Sequence, residues 1–220
     1  MTPGFWISSI TVAGHPTRRD SSVGFESGLN VIYGPSNSGK SWVLQCIDYV
    51  FGLKADEFVL DENSGYTEVR MGVRTAQGSL TLSRPIGEGA NNIEVSSTDP
   101  RIESGTYKRQ SSGRSPLLSS VWLKLIGYDA PENLKIIKNQ NLETQALTWR
   151  TFWHALYADE DRISTKKPIL LPLQTTAQPA FKCALASLIT GKDYAAVAGE
   201  RLFAPLGMSQ ASIGRAGLEG

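Results

Sequence analysis

Residues 34–41 read Gly34-Pro35-Ser36-Asn37-Ser38-Gly39-Lys40-Ser41 and match the pattern GxxxxGK[ST] at every fixed position. Glycines allow such a loop to curl until its backbone N–H groups point inward, where they bind phosphate oxygens. The positive end of the helix that follows adds to this attraction. Lys40 can reach the β- and γ-phosphates of a nucleotide, and the Ser41 hydroxyl can ligate Mg²⁺. The residues predicted to bind the nucleotide are Gly34, Asn37, Ser38, Gly39, Lys40, Ser41 and Trp42.

The sequence on both sides of this loop predicts the strand and the helix that the motif requires. Upstream, the apolar residues of 29–33 run directly into Gly34, which predicts a strand. Downstream, polar residues recur at helical spacing among apolar ones, which predicts a helix over 41–51 packed into the centre of the domain. Gly52 is a stop signal for this helix. Strand, loop and helix in this order are the context in which the motif binds phosphate.

The rest of the chain shows strand patterns first and helix patterns later. Apolar and polar residues alternate before residue 97, and a Gly-containing connection at 76–78 predicts a hairpin. Beyond residue 115, apolar residues return at helical spacing. Predicted strands cover 5–12, 23–25, 67–74, 79–84 and 92–95, and predicted helices cover 117–126, 149–157, 180–190 and 194–202.

A basic segment separates the strand patterns from the helix patterns. Residues 98–115 are rich in Ser, Gly and Arg and almost free of apolar side chains, which predicts a mobile loop. Its basic residues are Arg101, Lys108, Arg109 and Arg114. The loop can contact a nucleic acid backbone, although a solvated linker is the commoner role of such a charge cluster.

Composition limits the other classes of protein. With 220 residues, 40% of them hydrophobic and 20% charged, the chain has a globular composition and enough length for a core. A formal net charge of +1 gives no support to polyanion binding through global charge. Cys46 and Cys183 lie far apart, which argues against a zinc site or a disulfide-rich secreted fold. Because no apolar run reaches membrane-spanning length either, we expect a cytoplasmic protein with no membrane segment.

The run that contains the phosphate motif resembles a known family. Residues 25–41, followed by Val43, Leu44 and Ile47, are similar to the start of the ABC-type ATPase head in SMC, RecF and coiled-coil double-strand-break-repair ATPases. That family has the run F-x-x-G-x-N-x-I-x-G-x-N-x-x-G-K-S across a strand, the phosphate loop and the first helix. This chain departs from it at Ser36, where the family usually has Asn.

The resemblance implies that the chain has the α/β fold of a P-loop NTPase. It would form the ABC-ATPase-like N-terminal lobe, with a mixed sheet and an antiparallel β subregion. The lobe is expected to span 1–220. Its parts are the strand, phosphate loop and first helix in 1–53, a β-rich region in 54–97, the mobile basic loop in 98–115 and a helical part in 116–220.

The resemblance also implies partners and a role. In these ATPases a C-terminal lobe carries the LSGG signature, the Walker B segment and the switch histidine, and ATP with Mg²⁺ is sandwiched between two heads. This sequence has no LSGG-like segment. The implied partners are therefore a C-terminal ATPase lobe and a second head, with DNA as a further partner. ATP hydrolysis is expected only in the completed head, in DNA repair, recombination or defence against foreign DNA.

A second candidate site is the acidic segment Ala155-Leu156-Tyr157-Ala158-Asp159-Glu160. As a Walker B, it would supply an apolar strand, Asp159 for Mg²⁺ and Glu160 to orient the attacking water. By resemblance to the repair ATPases it is a Q-loop with Glu160 at the metal-contacting position, which we favour because no signature motif precedes it. On this assignment the catalytic residues are Lys40 and Glu160, and the Mg²⁺ ligands are Ser41 and Glu160. A solvated acidic helix end is the third interpretation.

Two other functions compete with an ATPase lobe. One is a self-contained small P-loop kinase or NTPase that acts on a small molecule, which suits the length of the chain. Against it, no arginine-bearing lid lies near a glycine-rich hinge, and the strand patterns after the first helix suit an ABC-type head better. The other is a nucleotide-dependent interaction module whose output is assembly with a partner.

Overall fold

The chain divides into two compact units, Met1–Gly127 and Tyr128–Gly220. The computed structural model describes residues 4–14, 18–58, 60, 64–110, 115–128, 131, 134–138, 143–159, 163–164, 177–192, 194–198, 200–201 and 204–205.

Within the described residues, the first unit contains a six-stranded sheet, two α-helices and a short 3₁₀ helix at Ala55–Glu57. Its strands are β1 (Phe5–Gly14), β2 (Ser21–Gly24), β3 (Tyr66–Thr75), β4 (Ser79–Pro85), β5 (Asn92–Ser97) and β6 (Gly105–Lys108), and its helices are α1 (Lys40–Val50) and α2 (Leu118–Leu125). The strand order is β2-β1-β3-β4-β5-β6, and neighbouring strands pair antiparallel.

The sheet forms because its strands alternate apolar and polar residues, so that one face is apolar. In β3, Val69, Met71 and Val73 are buried, and the register places them opposite Arg84, Leu82 and Leu80 of β4. Helix α1 packs on β1, β3 and β4. From α2, the fully buried Trp122 packs against Phe5 and Phe51, with ring centroids 5.3 and 4.2 Å away. The phosphate loop therefore leads into a helix that is seated on the apolar face of this sheet.

The α/β class and most predicted elements are confirmed, but three predictions for this unit differ from the structure. The predicted strand over 29–33 is not a strand, and all described strands pair antiparallel, so the parallel part of the predicted mixed sheet is not found among them. A strand requires a neighbour for its N–H and C=O groups. In addition, the predicted mobile loop at 98–115 contains β6, whose buried Tyr107 lies opposite the buried Ile93 of β5.

Within the described residues, the second unit has a two-stranded antiparallel sheet and three helices with defined bounds. They are β7 (Lys135–Ile137), β8 (Thr144–Ala146), α3 (Arg150–Leu156), α4 (Gln178–Thr190) and α5 (Tyr194–Ala198). Helix α4 packs on α3 and β7 and buries Phe181, Cys183 and Ala184. Among the helices in the described ranges, none is long and apolar enough to cross a membrane.

Candidate nucleotide site

The loop at 34–39 has the backbone geometry that its sequence predicts. Asn37 and Gly39 adopt left-handed conformations, with φ of 61° and 84°, which turn the chain sharply before α1 begins. Asn tolerates this region better than most residues, and Gly adopts it without strain. A side chain at Gly34 would meet resistance, because its Cβ would lie 3.2 Å from Ser38 Oγ. The glycines at both ends therefore permit the curled loop.

The N-terminus of α1 is open to an anion. Gly39 is the N-cap residue, and its carbonyl accepts hydrogen bonds from the N–H groups of Trp42 and Val43 at 3.1 and 3.2 Å. Neither a capping side chain nor an acidic residue in the first turn neutralises this end, so far as the described residues show. The first N–H groups of a helix have no partner within it, and the helix dipole makes this end positive. Phosphate oxygens fit both properties.

Lys40 lies folded over the loop. Its ammonium group donates hydrogen bonds to Gly34 O at 2.9 Å, Pro35 O at 2.6 Å and Ser38 Oγ at 3.2 Å. These partners are neutral oxygens, whereas phosphate oxygens are charged and form stronger hydrogen bonds with an ammonium group. The ammonium group is thus held over the concave side of the loop, where a bound phosphate would replace the carbonyl oxygens.

The residues after Lys40 fit Mg²⁺ and a nucleotide in part. Ser41 is exposed, so its hydroxyl is accessible to a metal ion carried by the phosphates. Mg²⁺ keeps several waters and needs few protein ligands when phosphates are present. No group of three or more His, Cys, Asp or Glu residues suited to a metal occurs in the part of the chain that the structure describes. Among the described residues, Ser41 is therefore the protein ligand that the site offers to a metal ion carried by the nucleotide.

Trp42 belongs to a group of aromatic rings beside the loop. Its ring lies 5.9 Å from Phe58 and 6.2 Å from Tyr66, and Phe58 stacks on Tyr49 at 4.2 Å. The guanidinium of Arg18 lies 4.8 Å from the Tyr66 ring centroid. Hydrogen bonds from Ser21 and then Arg18 lower the pKa of Tyr66. Trp42 therefore packs the first turn of α1 against Phe58 and Tyr66, and its predicted contact with a nucleotide stays a prediction.

The approach to the loop is exposed and apolar. Leu29 is 92% exposed, Val31 73% and Tyr33 91%, and no backbone hydrogen bond joins 29–33 to another described residue. Asn30 is held locally instead, because its amide exchanges hydrogen bonds with the backbone of Glu26 at 2.9 and 2.8 Å. Sequence reasoning identified this segment as a strand from its side chains, and these side chains have no covering layer within the described residues.

The other end of α1 holds a residue that sequence reasoning missed. Arg84 of β4 is fully buried, and its guanidinium donates hydrogen bonds to the carbonyl oxygens of Tyr49, Leu53 and Ala90. The signal was present in the sequence, because Leu80, Leu82 and Arg84 alternate and therefore share the buried face of β4.

The acidic candidate lies in the second unit. Ala155 and Leu156 are the last residues of α3, so the apolar strand that a Walker B needs is absent at these positions. Asp159 is exposed, and Glu160 lies outside the described residues. The Walker B interpretation therefore loses its structural basis, while the assignment of Glu160 to a Q-loop stays a prediction.

The basic segment is partly used within the fold. Arg101 contacts the carboxylate of Asp99, with Nε to Oδ1 at 2.9 Å and Nη2 to Oδ2 at 2.7 Å. Hydrogen bonds from Arg101 hold the pKa of Asp99 well below its usual range. Lys108 donates to Asn92 Oδ1. Arg114 lies outside the described residues. At least Arg101 thus has a structural role, as the ion-pair partner of a buried carboxylate.

Comparison with known proteins agrees with this geometry. A family model described as an AAA domain matches residues 11–172, which include the phosphate loop, α1, the strands β3–β6 and α3. No match was found among curated proteins. The family model covers most of the chain, and its domain type carries nucleotide-binding and ATPase activity. The chain therefore belongs to this AAA-domain family, and it is a P-loop NTPase with an ATP-binding site.

Proposed function

We propose that this chain is the N-terminal ATP-binding lobe of an SMC-like ATPase. In this proposal a C-terminal lobe completes the head, ATP joins two heads, and hydrolysis separates them, in a process coupled to DNA repair, recombination or defence against foreign DNA. The run over 25–41 and membership of the AAA-domain family support it. The structural observation that carries it is the exposed segment at 29–33.

That segment has the sequence of a strand, but no described residue pairs with it as a neighbouring strand would. Its apolar side chains Leu29, Val31 and Tyr33 are each more than two-thirds exposed. Exposed apolar groups of this size mark surfaces that are covered by another element or partner. Addition of strands from a second lobe would satisfy the backbone N–H and C=O groups and would cover the side chains in one step.

The chain by itself supplies more of the groups needed to bind ATP than of those needed to hydrolyse it. Lys40 places a positive charge over the loop, and the open end of α1 offers N–H groups to the phosphates. Mg²⁺, when bound with ATP, neutralises charge on the β- and γ-phosphates. By contrast, the Walker B segment would come from the C-terminal lobe and the signature segment from a second head, while Glu160 would supply only a contact to the metal. We therefore expect the isolated chain to bind Mg-ATP and to hydrolyse it very slowly.

The test is a turnover assay on the purified chain with Mg-ATP, alongside sedimentation with and without the nucleotide. The proposal predicts negligible phosphate release by the chain alone. Release at ordinary enzymatic rates, abolished in Lys40→Ala, would contradict the incomplete-lobe account and favour a self-contained NTPase. Transfer of phosphate to a nucleoside or nucleotide acceptor would favour the small kinase instead.

A further inference from the structure

We propose that Arg84 is a positioning residue for the phosphate loop: it fixes the C-terminal end of α1 so that the N-terminal end presents Lys40 and Ser41 to the phosphates. This inference rests on the proposed nucleotide binding at the loop. Arg84 touches no part of that site, and it acts through the helix.

Helix α1 is held mainly by one end. Its buried residues are Cys46, Asp48, Tyr49 and Val50, all in the C-terminal half, whereas none of the residues in 40–45 is buried. The N-terminal half carries Lys40 and Ser41 and has Trp42 as its aromatic brace. Helix α1 is therefore anchored by burial at its C-terminal end, and its ligand-binding end is held more lightly, through the ring of Trp42.

Arg84 is at the fixed end. Its Nη1 atom donates to Tyr49 O and to Leu53 O, the latter at 2.8 Å, and its Nε atom donates to Ala90 O at 2.7 Å. The carbonyl oxygens at the end of a helix lack partners within it and carry partial negative charge. The buried guanidinium of Arg84 binds one such oxygen, that of Tyr49, together with the carbonyl oxygen of Leu53 just beyond the helix. It therefore ties the last turn of α1 to β4 and, through Ala90, to the turn after β4.

Tyr49 provides a second hydrogen bond between α1 and β4, with the donor on the helix. Its hydroxyl donates to Pro85 O, next to Arg84 in β4, and its ring lies 3.8 Å from the guanidinium carbon of Arg84. Burial raises the pKa of Tyr49, so the phenol stays protonated and remains a donor. Phe58 then stacks on Tyr49 and on Trp42, which follows Ser41 directly. Contact is continuous from Arg84 to the first turn of α1.

Because α1 is long, a small tilt at its C-terminal end displaces the phosphate loop at its N-terminal end. With 11 residues, α1 is about 16 Å long. A tilt of about 4° at the fixed end would shift the other end by about 1 Å. Misplacement by about 1 Å costs up to about a hundredfold in the rate of a preorganised reaction, and hydrogen bonds to phosphate also weaken when their donors move this far. Loss of the Arg84 hydrogen bonds should therefore weaken phosphate binding although the residues that contact phosphate are unchanged.

The experiment compares Arg84→Met and Arg84→Lys with the wild-type chain, using Mg-ATP as the probe and titration calorimetry at a temperature where circular dichroism shows each variant folded. Arg101→Met is the matched control. Arg101 also donates to a carbonyl at the end of a helix, Leu125 O of α2 at 3.5 Å, but α2 carries no phosphate loop. We expect Arg84→Met to weaken Mg-ATP binding about tenfold, Arg84→Lys to restore part of the affinity, and Arg101→Met to bind like the wild type.

The outcomes separate this inference from the proposed function. Wild-type affinity in folded Arg84→Met, or an equal loss in Arg101→Met, would overturn the positioning role while leaving nucleotide binding intact. Failure of the wild-type chain to bind Mg-ATP would overturn both. If Arg84→Met does not fold, Tyr49→Phe decides, because it removes only the hydroxyl that donates to Pro85 O. We expect about threefold weaker binding, and unchanged affinity would overturn the inference.

Discussion

The two ends of α1 differ in burial and in the hydrogen-bond partners that the described residues supply. At the C-terminal end, Val50 is fully buried, and Arg84 donates hydrogen bonds to the carbonyl oxygens of Tyr49 in the last turn and Leu53 just beyond it. At the N-terminal end, the loop is exposed, the helix has no capping side chain, and the apolar segment at 29–33 is uncovered within the described residues. We therefore expect substitutions at the C-terminal end of α1 to lower the stability of the fold, and substitutions at the N-terminal end to lower the affinity for Mg-ATP.

The largest effect is expected at the buried end. Val50→Asp would place a carboxylate where the side chain is fully buried, which costs about 4 kcal/mol in the free energy of unfolding. Chemical denaturation followed by circular dichroism measures it. A variant with the wild-type midpoint would show that the end of α1 is not packed as described.

Asp99 offers a pH-dependent test of another buried part of the first unit, next to Thr75 and Arg101. Its side chain is fully buried and receives hydrogen bonds from Arg101 and Thr75, which keep its pKa in the folded state below the unfolded value. The carboxylate therefore stabilises the fold above about pH 4, and this contribution is lost as the pH falls further. We expect Asp99→Asn to lose about 2 kcal/mol at pH 7 and to show less dependence on pH below 4. Identical acid unfolding curves for both proteins would contradict this.

Gly39 tests the open end. Its φ of 84° is strained for any residue with a Cβ, although no atom lies within 4 Å of the position that a Cβ would occupy. Gly39→Ala should therefore cost about 1 kcal/mol of stability, and it should weaken Mg-ATP binding as the loop relaxes. The control is Gly24→Ala, at a position with ordinary φ and no close neighbour. Equal affinities in both variants would show that the left-handed turn is not required.

The smallest effect on stability is expected for Val31→Asp, the same substitution as Val50→Asp but at the open end. Because Val31 is 73% exposed, the free energy of unfolding of the isolated chain should change by less than about 0.5 kcal/mol. If denaturation showed a loss comparable to that of Val50→Asp, the segment at 29–33 would have to be covered by the chain itself.

Local patterns explain which features were predictable. The phosphate loop, α1 and the β3–β4 hairpin follow from residues close in sequence, and the structure contains them at the predicted positions to within about two residues. Strand β6 was missed because Tyr107 is its only buried side chain, too little for a visible alternation. The segment at 29–33 was predicted as a strand because side chains indicate burial, but pairing depends on a neighbour that local sequence does not contain.

Arg84 illustrates a different limit. Charged residues are almost always placed on the surface, so composition argues against a buried arginine. The alternation with Leu80 and Leu82 indicated the buried face, but the carbonyl oxygens that receive its hydrogen bonds come from residues 31 to 35 positions earlier and from a turn 6 positions later. The Q-loop assignment of Glu160 stays a prediction.

The central claim is that Lys40 and the open end of α1 bind the phosphates of ATP. The most direct measurement is calorimetric titration of Mg-ATP into the wild-type chain, Lys40→Ala and the control Lys54→Ala, whose exposed lysine pairs with Glu57 at 3.2 Å. The account predicts binding by the wild type and by Lys54→Ala, and a loss of about tenfold or more in Lys40→Ala. Equal affinity of Lys40→Ala and the wild type would contradict it.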